Sequence, residues 1–559
     1  MRDVLLEDTE VPVLIVGGSL VGMFMAALLG RLGVKALVAE RHPGSAIHPR
    51  AAFVYQRSME VVRGLGVEDA VRQKSFQQFE PDGAILSVES IAGNELQRDV
   101  PHMNEGVRDL SPSERLFITQ LALEPMIKQR AEQWGQALHF ATEVVSIEQG
   151  PDGVRARLRD RESGRESAVR ARYAVAADGA HSRVREQLRI PMLGRGLLSR
   201  SLTVYFRANV GPLMRERNMS VILVRNPAFR GFFRIEKPYE SGFLIIHTTG
   251  DPEAPNTDCW SLTEADCREL LRIGLGADVP VSIDSIQKWE CCAHTAERFR
   301  DGRIFLAGDA AHVMPPYGGF GGNTGIHDAH NLAWKLAQVA NGTAGEGLLD
   351  SYEAERRPVA HFTVEQAYAR YVLRGAHYLA PQGISPFAKD VNVDLGYCYD
   401  SAAIVGDDPP VLHDHPRALA GRPGARAPHV ALARQAGAVS SIDLFGRGWV
   451  LLAGARGHAW SEAAGLLRDG SLRDGPPLDV HRVDGVELHD TAGVFHESYG
   501  ITPSGAVLVR PDGVVAWRSR TASCASAAEL EAVLARLLAR RERLDGAASP
   551  APSANAAPP

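Results

Sequence analysis

The segment from Val11 to Glu40 constrains the fold more than any other stretch of this 559-residue chain. It opens with Val11-Pro12-Val13-Leu14-Ile15-Val16, a β-branched run suited to a strand buried on both faces. Gly17-Gly18-Ser19-Leu20-Val21-Gly22 follows, then an apolar helical stretch to Gly33, a second strand from Val34 to Ala39, and Glu40. Strand, glycine turn, helix, strand and acid in this order read as a βαβ unit that binds a dinucleotide. The glycines make the tight turn and admit a pyrophosphate to the helix N-terminus, where unpaired N–H groups and the dipole favour anions. Glu40 is placed to accept hydrogen bonds from ribose hydroxyls, with Arg41 beside it; Ser19 stands where the middle glycine of such a turn is usual. A glycine turn before a helix can also serve tight packing alone, and it is the following strand and acid that favour the binding reading.

Two later motifs narrow the cofactor. Tyr173–Ala177 reads as a strand ending in an Asp178-Gly179 turn, which in isolation is also a common surface turn. Gly302 to Ala307 reads as another strand, running into Gly308-Asp309. Then come Pro315-Pro316-Tyr317-Gly318-Gly319-Phe320-Gly321-Gly322-Asn323 and a helix through Asp328, Asn331, Trp334 and Lys335. This second glycine-rich loop before a helix N-terminus is again an anion site, and the anion suited to it is reduced flavin, charged at N1–C2=O.

The three motifs in this order resemble the group A flavoprotein monooxygenases, the p-hydroxybenzoate and phenol hydroxylase family. More narrowly they are similar to actinobacterial aromatic polyketide hydroxylases of the tetracenomycin and angucycline type. The likeness runs from residue 11 to about 400 and, more weakly, to about 540. The family commonly has Gln where Phe320 stands and Leu or Met at Gly322. The resemblance implies FAD as cofactor, with NADPH or NADH as a transient co-substrate. O2 would add at flavin C4a, and the hydroperoxide would hydroxylate a phenolic, polycyclic polyketide-type substrate. It places Asp309 on the ribitol chain and Gly321, Gly322 and Asn323 at the flavin pyrimidine edge, with Pro316 and Gly319 in the same loop. Asp178 would lie along FAD, Gln120 would contact it, and Arg50 would sit near its phosphates. Taken singly, Gln120 and Arg50 suit surface or packing roles equally well. A Baeyer–Villiger oxygenase acting on a polycyclic ketone is an alternative on the same fold, and a non-catalytic flavin-fold binding protein is another. No catalytic residue is named by the sequence, nor a base for the substrate; His312 reads as structural.

The expected class is α/β: a Rossmann-like FAD-binding domain of glutathione-reductase type, an antiparallel-sheet substrate domain and a thioredoxin-like C-terminal domain. The FAD domain is discontinuous, from residues 1–75, 100–190 and 285–395; the substrate domain takes 76–99 and 191–284. The substrate sheet is read from short strands separated by turns between about residues 200 and 250. Tyr205, Phe206, Phe232, Arg234 and His247 are its candidate lining residues. Period-two alternation allows at most one of Tyr205 and Phe206 to face the ligand, while Phe232 and Arg234 can share a face; packing roles suit each of the five as well. Gly421–His429 reads as a linker, residues 400–545 as the third domain, and 546–559 as a disordered tail.

Composition closes off other classes. With 45% hydrophobic and 23% charged residues the chain can bury a large core, and a net charge of -6 gives no reason to expect nucleic acid. Six cysteines without CxxC spacing suit neither a zinc site nor a disulfide framework. No apolar run is long enough to suggest a membrane span, and MRDVLLEDTE lacks the basic start of a secretory signal. The expectation is a cytoplasmic monomer or homodimer acting on a small aromatic substrate with O2.

Overall fold

The computed structural model describes residues 9–540, apart from 47–52, 227–228, 251–254, 375, 377–378, 380–382, 407, 474 and 486. Arg50 and the expected 546–559 tail lie outside the described residues.

The strand Thr9–Val16 pairs in parallel with Ala36–Ala39 on one side and Glu166–Ala176 on the other. Ala137–His139 and Ile304–Leu306 extend this parallel sheet outward. Val13 to Val16 are buried, as β-branched residues in a sheet covered on both faces should be. The helix Leu20–Arg31 is apolar on nearly every side and packs against the long helix Gly321–Ala340. Because Thr9–Val16, Glu166–Ala176 and Ile304–Leu306 run in parallel, their carboxyl ends deliver all three glycine motifs to one rim of the sheet. That rim is where open α/β sheets collect ligands.

A second, eight-stranded sheet contains Met192–Arg207, Ser241–His247, Phe229–Glu236 and Val221–Asn226 in antiparallel succession. Ile85–Val88 and Glu95–Val100 join beyond Val221–Asn226. Ser282–Ala296 pairs with Met192–Arg207 along its length, so the expected boundary at 285 falls inside a strand of this sheet. Alternation divides its faces. Leu202, Val204, Phe206, Phe233, Ile235, Leu244 and Ile246 bury against Cys267, Leu271 and Leu275 of the helix Glu264–Leu275. Phe206 therefore points away from the flavin side and packs edge-on against Phe233 at 5.9 Å, which removes it from the substrate candidates.

In the C-terminal part, Trp449–Ala453, the helix His458–Asp469 and Leu478–Arg482 form a parallel βαβ unit. Ala506–Val509 and Val515–Ser519 add antiparallel strands, and the helix Ala527–Leu537 closes the layer with Leu530, Val533, Leu534 and Leu537 buried. This is thioredoxin connectivity. The segment Gly421–His429 is no linker: Ala425 and Ala427 are fully buried and Arg426 bridges to Val514. Its Pro and Gly content shapes a packed crossing. Among the described residues no helix is long and apolar enough to cross a membrane, and no metal-ligating cluster is present.

Candidate flavin site and substrate wall

The turn after Thr9–Val16 is built by close approach. Gly17 has φ +101°, and a Cβ there would lie 2.3 Å from the Ala177 carbonyl oxygen. The first and second motifs therefore touch only because residue 17 is glycine. Val21 joins the third: its side chain occupies the space a Cβ would need at Gly308 and at Gly325. Gly22 is buried directly behind the turn. Arg185, in the helix that follows Asp178-Gly179, donates to the Ala180 and Ala310 carbonyls at 3.1 Å each and so ties motif two to motif three.

Around the helix N-terminus at Ser19, polar groups converge from distant parts of the chain. Ser19 Oγ donates to Glu124 Oε1 at 2.5 Å, and Gln120 Nε2 donates to Ser19 Oγ at 2.9 Å and Glu124 Oε1 at 2.6 Å. Gln120 thus reaches the turn. Glu124, one helical turn further on, is a site residue that sequence reasoning passed over. Glu40 accepts the Gly18 N–H at 2.6 Å and the His42 N–H at 2.8 Å, which fixes its carboxylate beside the turn. Arg41 is exposed, and its carbonyl accepts from Arg161 at 3.0 Å.

Asp178 ends the second motif with its carboxylate only partly satisfied. Its Oδ2 accepts from Val184 N, whereas buried Oδ1 has no hydrogen-bond partner, and burial pushes its carboxyl up from the usual range. Beside it, a Cβ at Gly179 would meet nothing within 4 Å. A buried carboxylate with one acceptor to spare, next to an open glycine turn, fits the hydroxyl-bearing chain of FAD.

The flavin loop is clamped by its own side chains. Asn323 Oδ1 accepts from Tyr55 N at 3.0 Å, and its Nδ2 donates to the Phe53 and Gly319 carbonyls at 2.9 and 2.8 Å. The Asn323 side chain is therefore committed to holding the loop, and the Gly321–Asn323 backbone is what the helix N-terminus presents. No side chain caps that terminus, and a Cβ at Gly321 would find only Met314 Cγ at 3.8 Å. Gly319 N donates to the Pro316 carbonyl at 3.0 Å, and Tyr55 OH donates to the Gly318 carbonyl at 2.6 Å. Phe320 stacks on Tyr55 at 5.3 Å. Pro316 and Asp309 are exposed on the same rim, and Gly322 is half-buried.

Behind Gly308, buried Asp328 accepts the Gly308 N–H at 2.9 Å, contacts His312 Nε2 at 2.7 Å and pairs with Arg356 Nε at 2.7 Å. These partners hold its carboxyl below the ordinary range against the cost of burial. His312 is structural, as expected.

Over the flavin loop the second sheet presents a continuous aromatic wall. Tyr205 meets Phe243 at 5.8 Å, Phe243 meets Phe232 at 6.2 Å, and Phe232 meets His247 at 6.4 Å. His247 lies 6.0 Å from Tyr317 of the flavin loop, 6.1 Å from Trp289 and 6.5 Å from Tyr371. Four of the five expected lining residues thus share this face. Arg234, at its far end, lies over Phe117 at 5.0 Å and Phe79 at 5.6 Å, and burial lowers its pKa to about 10. Sequence reasoning missed Phe243, Trp289, Tyr317 and Tyr371. Strand pairing, which places Phe243 opposite Tyr205 and Trp289 opposite Ser201, is the signal that finds two of them.

Comparison with known proteins agrees with this geometry. A family model described as an FAD binding domain matches residues 10–367, and one described as the C-terminal part of aromatic-ring hydroxylases matches 420–540. A 4-methyl-5-nitrocatechol 5-monooxygenase of a Burkholderia species is 48% identical over 522 residues, covering 92% of this chain and 95% of that one. An aklavinone 12-hydroxylase of Streptomyces purpurascens is 39% identical over 550 residues, covering 96% and 100%. A solved structure of an aklavinone-11 hydroxylase with FAD and aklavinone superposes with a TM-score of 0.89 at 38% identity, covering 96% of this chain and 100% of that one.

Proposed function

The chain belongs to the FAD-dependent aromatic-ring hydroxylases, and from that premise we propose that it places one oxygen atom on a phenolic ring of a polycyclic, polyketide-type substrate. It is a flavoprotein monooxygenase that takes electrons from NAD(P)H and oxygen from O2. FAD, when bound, supplies the oxygen activation. The rest is the work of this chain's residues. Gly17, Gly18, Ser19, Val21 and Gly22 shape the pyrophosphate turn, with Glu40 and Arg41 toward the adenosine end, and Arg50, outside the described residues, is kept as a phosphate contact on its motif alone. Gln120, Asp178 and Asp309 serve the ribityl and phosphate stretch, while Pro316, Gly319, Gly321, Gly322 and Asn323 present backbone to the flavin. In this reading residues 1–75, 100–190 and roughly 297–395 form the FAD unit, and the sheet strands up to Ala296 form the substrate unit.

The observation that carries the proposal is the aromatic wall from Tyr205 to Tyr317, which ends on the flavin loop itself. A planar ring resting on this wall beside the loop is shielded from water and presented to the oxygen donor. A second reading, a single substituted catechol ring as substrate, is favoured by the 48% identical nitrocatechol monooxygenase.

The test uses the purified holoprotein. NAD(P)H oxidation and O2 uptake are measured against simple phenols, nitrocatechols and polycyclic phenols, with each product identified by mass and NMR. Coupled turnover confined to polycyclic phenols supports the first reading, and turnover confined to nitrocatechols supports the second. A ring-expanded product overturns hydroxylation in favour of Baeyer–Villiger insertion. Failure of the protein to bind FAD overturns both.

A further inference from the structure

His247 is 92% buried by its 8% exposure, yet one of its ring nitrogens has nothing to do. Nδ1 lies 2.9 Å from Ser201 Oγ, across the strand pair that sets Ser201 opposite His247. Among the described residues Nε2 has no hydrogen-bond partner. The rings packed about it are Phe232, Trp289, Tyr317 and Tyr371, drawn from the sheet, the flavin loop and the helix Asp350–Arg374. Among the described residues no carboxylate or cation shifts its pKa. Burial alone lowers its pKa to about 4, so the imidazole is neutral at neutral pH.

The hydrogen bond to Ser201 decides which nitrogen carries the proton. Among the described residues Ser201 Oγ makes no other hydrogen bond, so its hydroxyl proton has one acceptor in reach there, Nδ1. Were Nδ1 to donate instead, the buried Ser201 O–H would be left without an acceptor. Either tautomer leaves one buried donor unmade, at a cost of about 1–3 kcal/mol, but only Nε2–H lies among the rings of the wall, where the oxygen of a bound ligand can satisfy it. Ser201 therefore donates to Nδ1, and the proton of the neutral ring sits on Nε2. The result is a fixed, uncharged N–H donor in an aromatic enclosure beside the flavin loop.

We propose that His247 Nε2–H is the anchor for the substrate's ring oxygen, donating to a phenolate or quinone-type carbonyl, and that Ser201 is the positioning residue that sets its tautomer. The inference rests on the phenol-hydroxylating reading above and names the group that recognises the phenol. A donor with no competing partner favours the ionised ring oxygen, and a phenolate is the more electron-rich ring for accepting oxygen. It also sets specificity, because an analogue lacking that oxygen leaves the donor buried and unpaired.

The experiment uses the oxidised holoenzyme without turnover and 4-nitrocatechol as probe, whose visible band reports whether its hydroxyl is ionised. In the wild type the bound probe should ionise at a lower pH than in water, by about one unit, a tenfold change in the ionisation constant. In His247→Phe the shift should vanish. In His247→Gln, which keeps an N–H donor, part of it should return, and in Ser201→Ala it should shrink. Nitrogen-15 NMR of histidine-labelled wild-type protein should show the Nε2–H tautomer for His247, a reading that needs no variant to fold. An ionisation shift equal in wild type and His247→Phe, or an Nδ1–H tautomer, overturns the role of His247 while leaving the phenol reading intact. If no phenol binds the wild-type holoenzyme, reading and inference fall together.

Discussion

Two bodies dock onto the FAD-binding unit, and they do so by opposite chemistry. The C-terminal body is joined through buried ions. Glu355 accepts both guanidinium nitrogens of Arg510 at 2.6 and 2.9 Å and Lys335 Nζ at 2.8 Å, while Arg510 also pairs with Asp512 at 2.5 Å. Nearby, Glu60 takes Arg426 and Arg57, and Ser111 donates to it at 2.6 Å. The antiparallel sheet is joined through aromatic rings, and there the buried Nε of Arg234 and Nε2 of His247 have no partner. At the first interface the buried charges are paired, with Asn331 Oδ1, Trp334 Nε1 and Asp394 Oδ2 left over; at the second, among the described residues, the unpartnered Arg234 Nε and His247 Nε2 lie among aromatic rings. The difference separates a joint built to stay closed from a surface built to receive something.

The ionic joint yields the largest expected effect. Desolvation opposes ionising Glu355 and Glu60, yet their cations hold both below the ordinary carboxylate range, Glu60 at about 2. Removing one partner strands the other charge in the interior, which costs about 3–5 kcal/mol. Arg510→Leu should therefore lower the unfolding free energy by that amount, read by denaturant titration, and loosen the C-terminal body as read by limited proteolysis. A change under about 1 kcal/mol would mean that the joint is held by apolar contacts such as Trp334 on Trp449 at 5.7 Å. For these groups the folded pKa lies below the unfolded one, so their stabilisation is present above the ordinary carboxylate range. It is lost as pH falls through the folded values.

The two faces of the antiparallel sheet sharpen the same contrast. Phe206→Ala empties a place in the core against the Glu264–Leu275 helix and should cost about 3 kcal/mol with little change in KM. Tyr205→Ala, one residue away on the wall, should cost less stability and raise KM for the phenolic substrate. If the two variants exchange these signatures in a thermal melt and a steady-state assay, the wall faces the wrong way.

How much of this was legible in the sequence follows from distance along the chain. The pyrophosphate turn and the flavin loop are local: Gly17 to Gly22 and Gly318 to Asn323 carry their geometry in consecutive residues, so the motif is the structure. Gln120 was legible through its register, but its partner Glu124 became visible only once the chain brought it to Ser19, 105 positions away. The wall was half legible. Alternation says that Tyr205 and Phe206 oppose each other and puts Ser201 and Thr203 on the Tyr205 side, but both faces are buried, and only strand pairing adds Arg234 and His247 to that side. Tyr317 and Tyr371 join His247 from the flavin loop and a helix, which no strand pattern encodes. Gly421–His429 misled for a physical reason: Pro and Gly mark any chain that turns, and a tight crossing through a core needs them as much as a solvated linker does.

Asp394 is the exception inside the ionic region, and a smaller effect is expected there. Its Oδ1 accepts from Arg57 N at 3.3 Å, its Oδ2 has no partner, and it lines a void of about 10 Å³ with Tyr55, Asn323, His327 and Tyr397. Burial, with the charge of Glu60, raises its pKa to about 7, although Arg115 and Arg426 pull the other way. A raised folded pKa means that its contribution is fully present below the unfolded carboxylate value and lost as pH rises toward about 7. Between about pH 6 and 8 the wild type should lose about 1 kcal/mol that Asp394→Asn does not lose, measured as the difference of their stability curves. Parallel curves would mean that Asp394 ionises normally.

His247→Phe carries the smallest expected change in stability and puts the comparison at greatest risk. The substitution deletes a donor that no described residue satisfies and keeps a ring among Phe232, Trp289, Tyr317 and Tyr371. It also leaves the Ser201 hydroxyl without its acceptor, a cost that the double variant Ser201→Ala/His247→Phe removes. Replacing both members of a buried pair by apolar groups of similar shape is close to neutral. The double variant should therefore lie within about 1 kcal/mol of wild type, against the several kcal/mol lost when Arg510 goes. The single variant should sit slightly below it, by the stranded hydroxyl. A loss of more than about 3 kcal/mol in the double variant would place His247 among the groups that hold the fold together. The wall would then be a second structural joint, and its unpartnered nitrogen a strain the fold tolerates. A near-neutral double variant that no longer shifts the ionisation of a bound phenol would show that the unmet donor exists for a ligand.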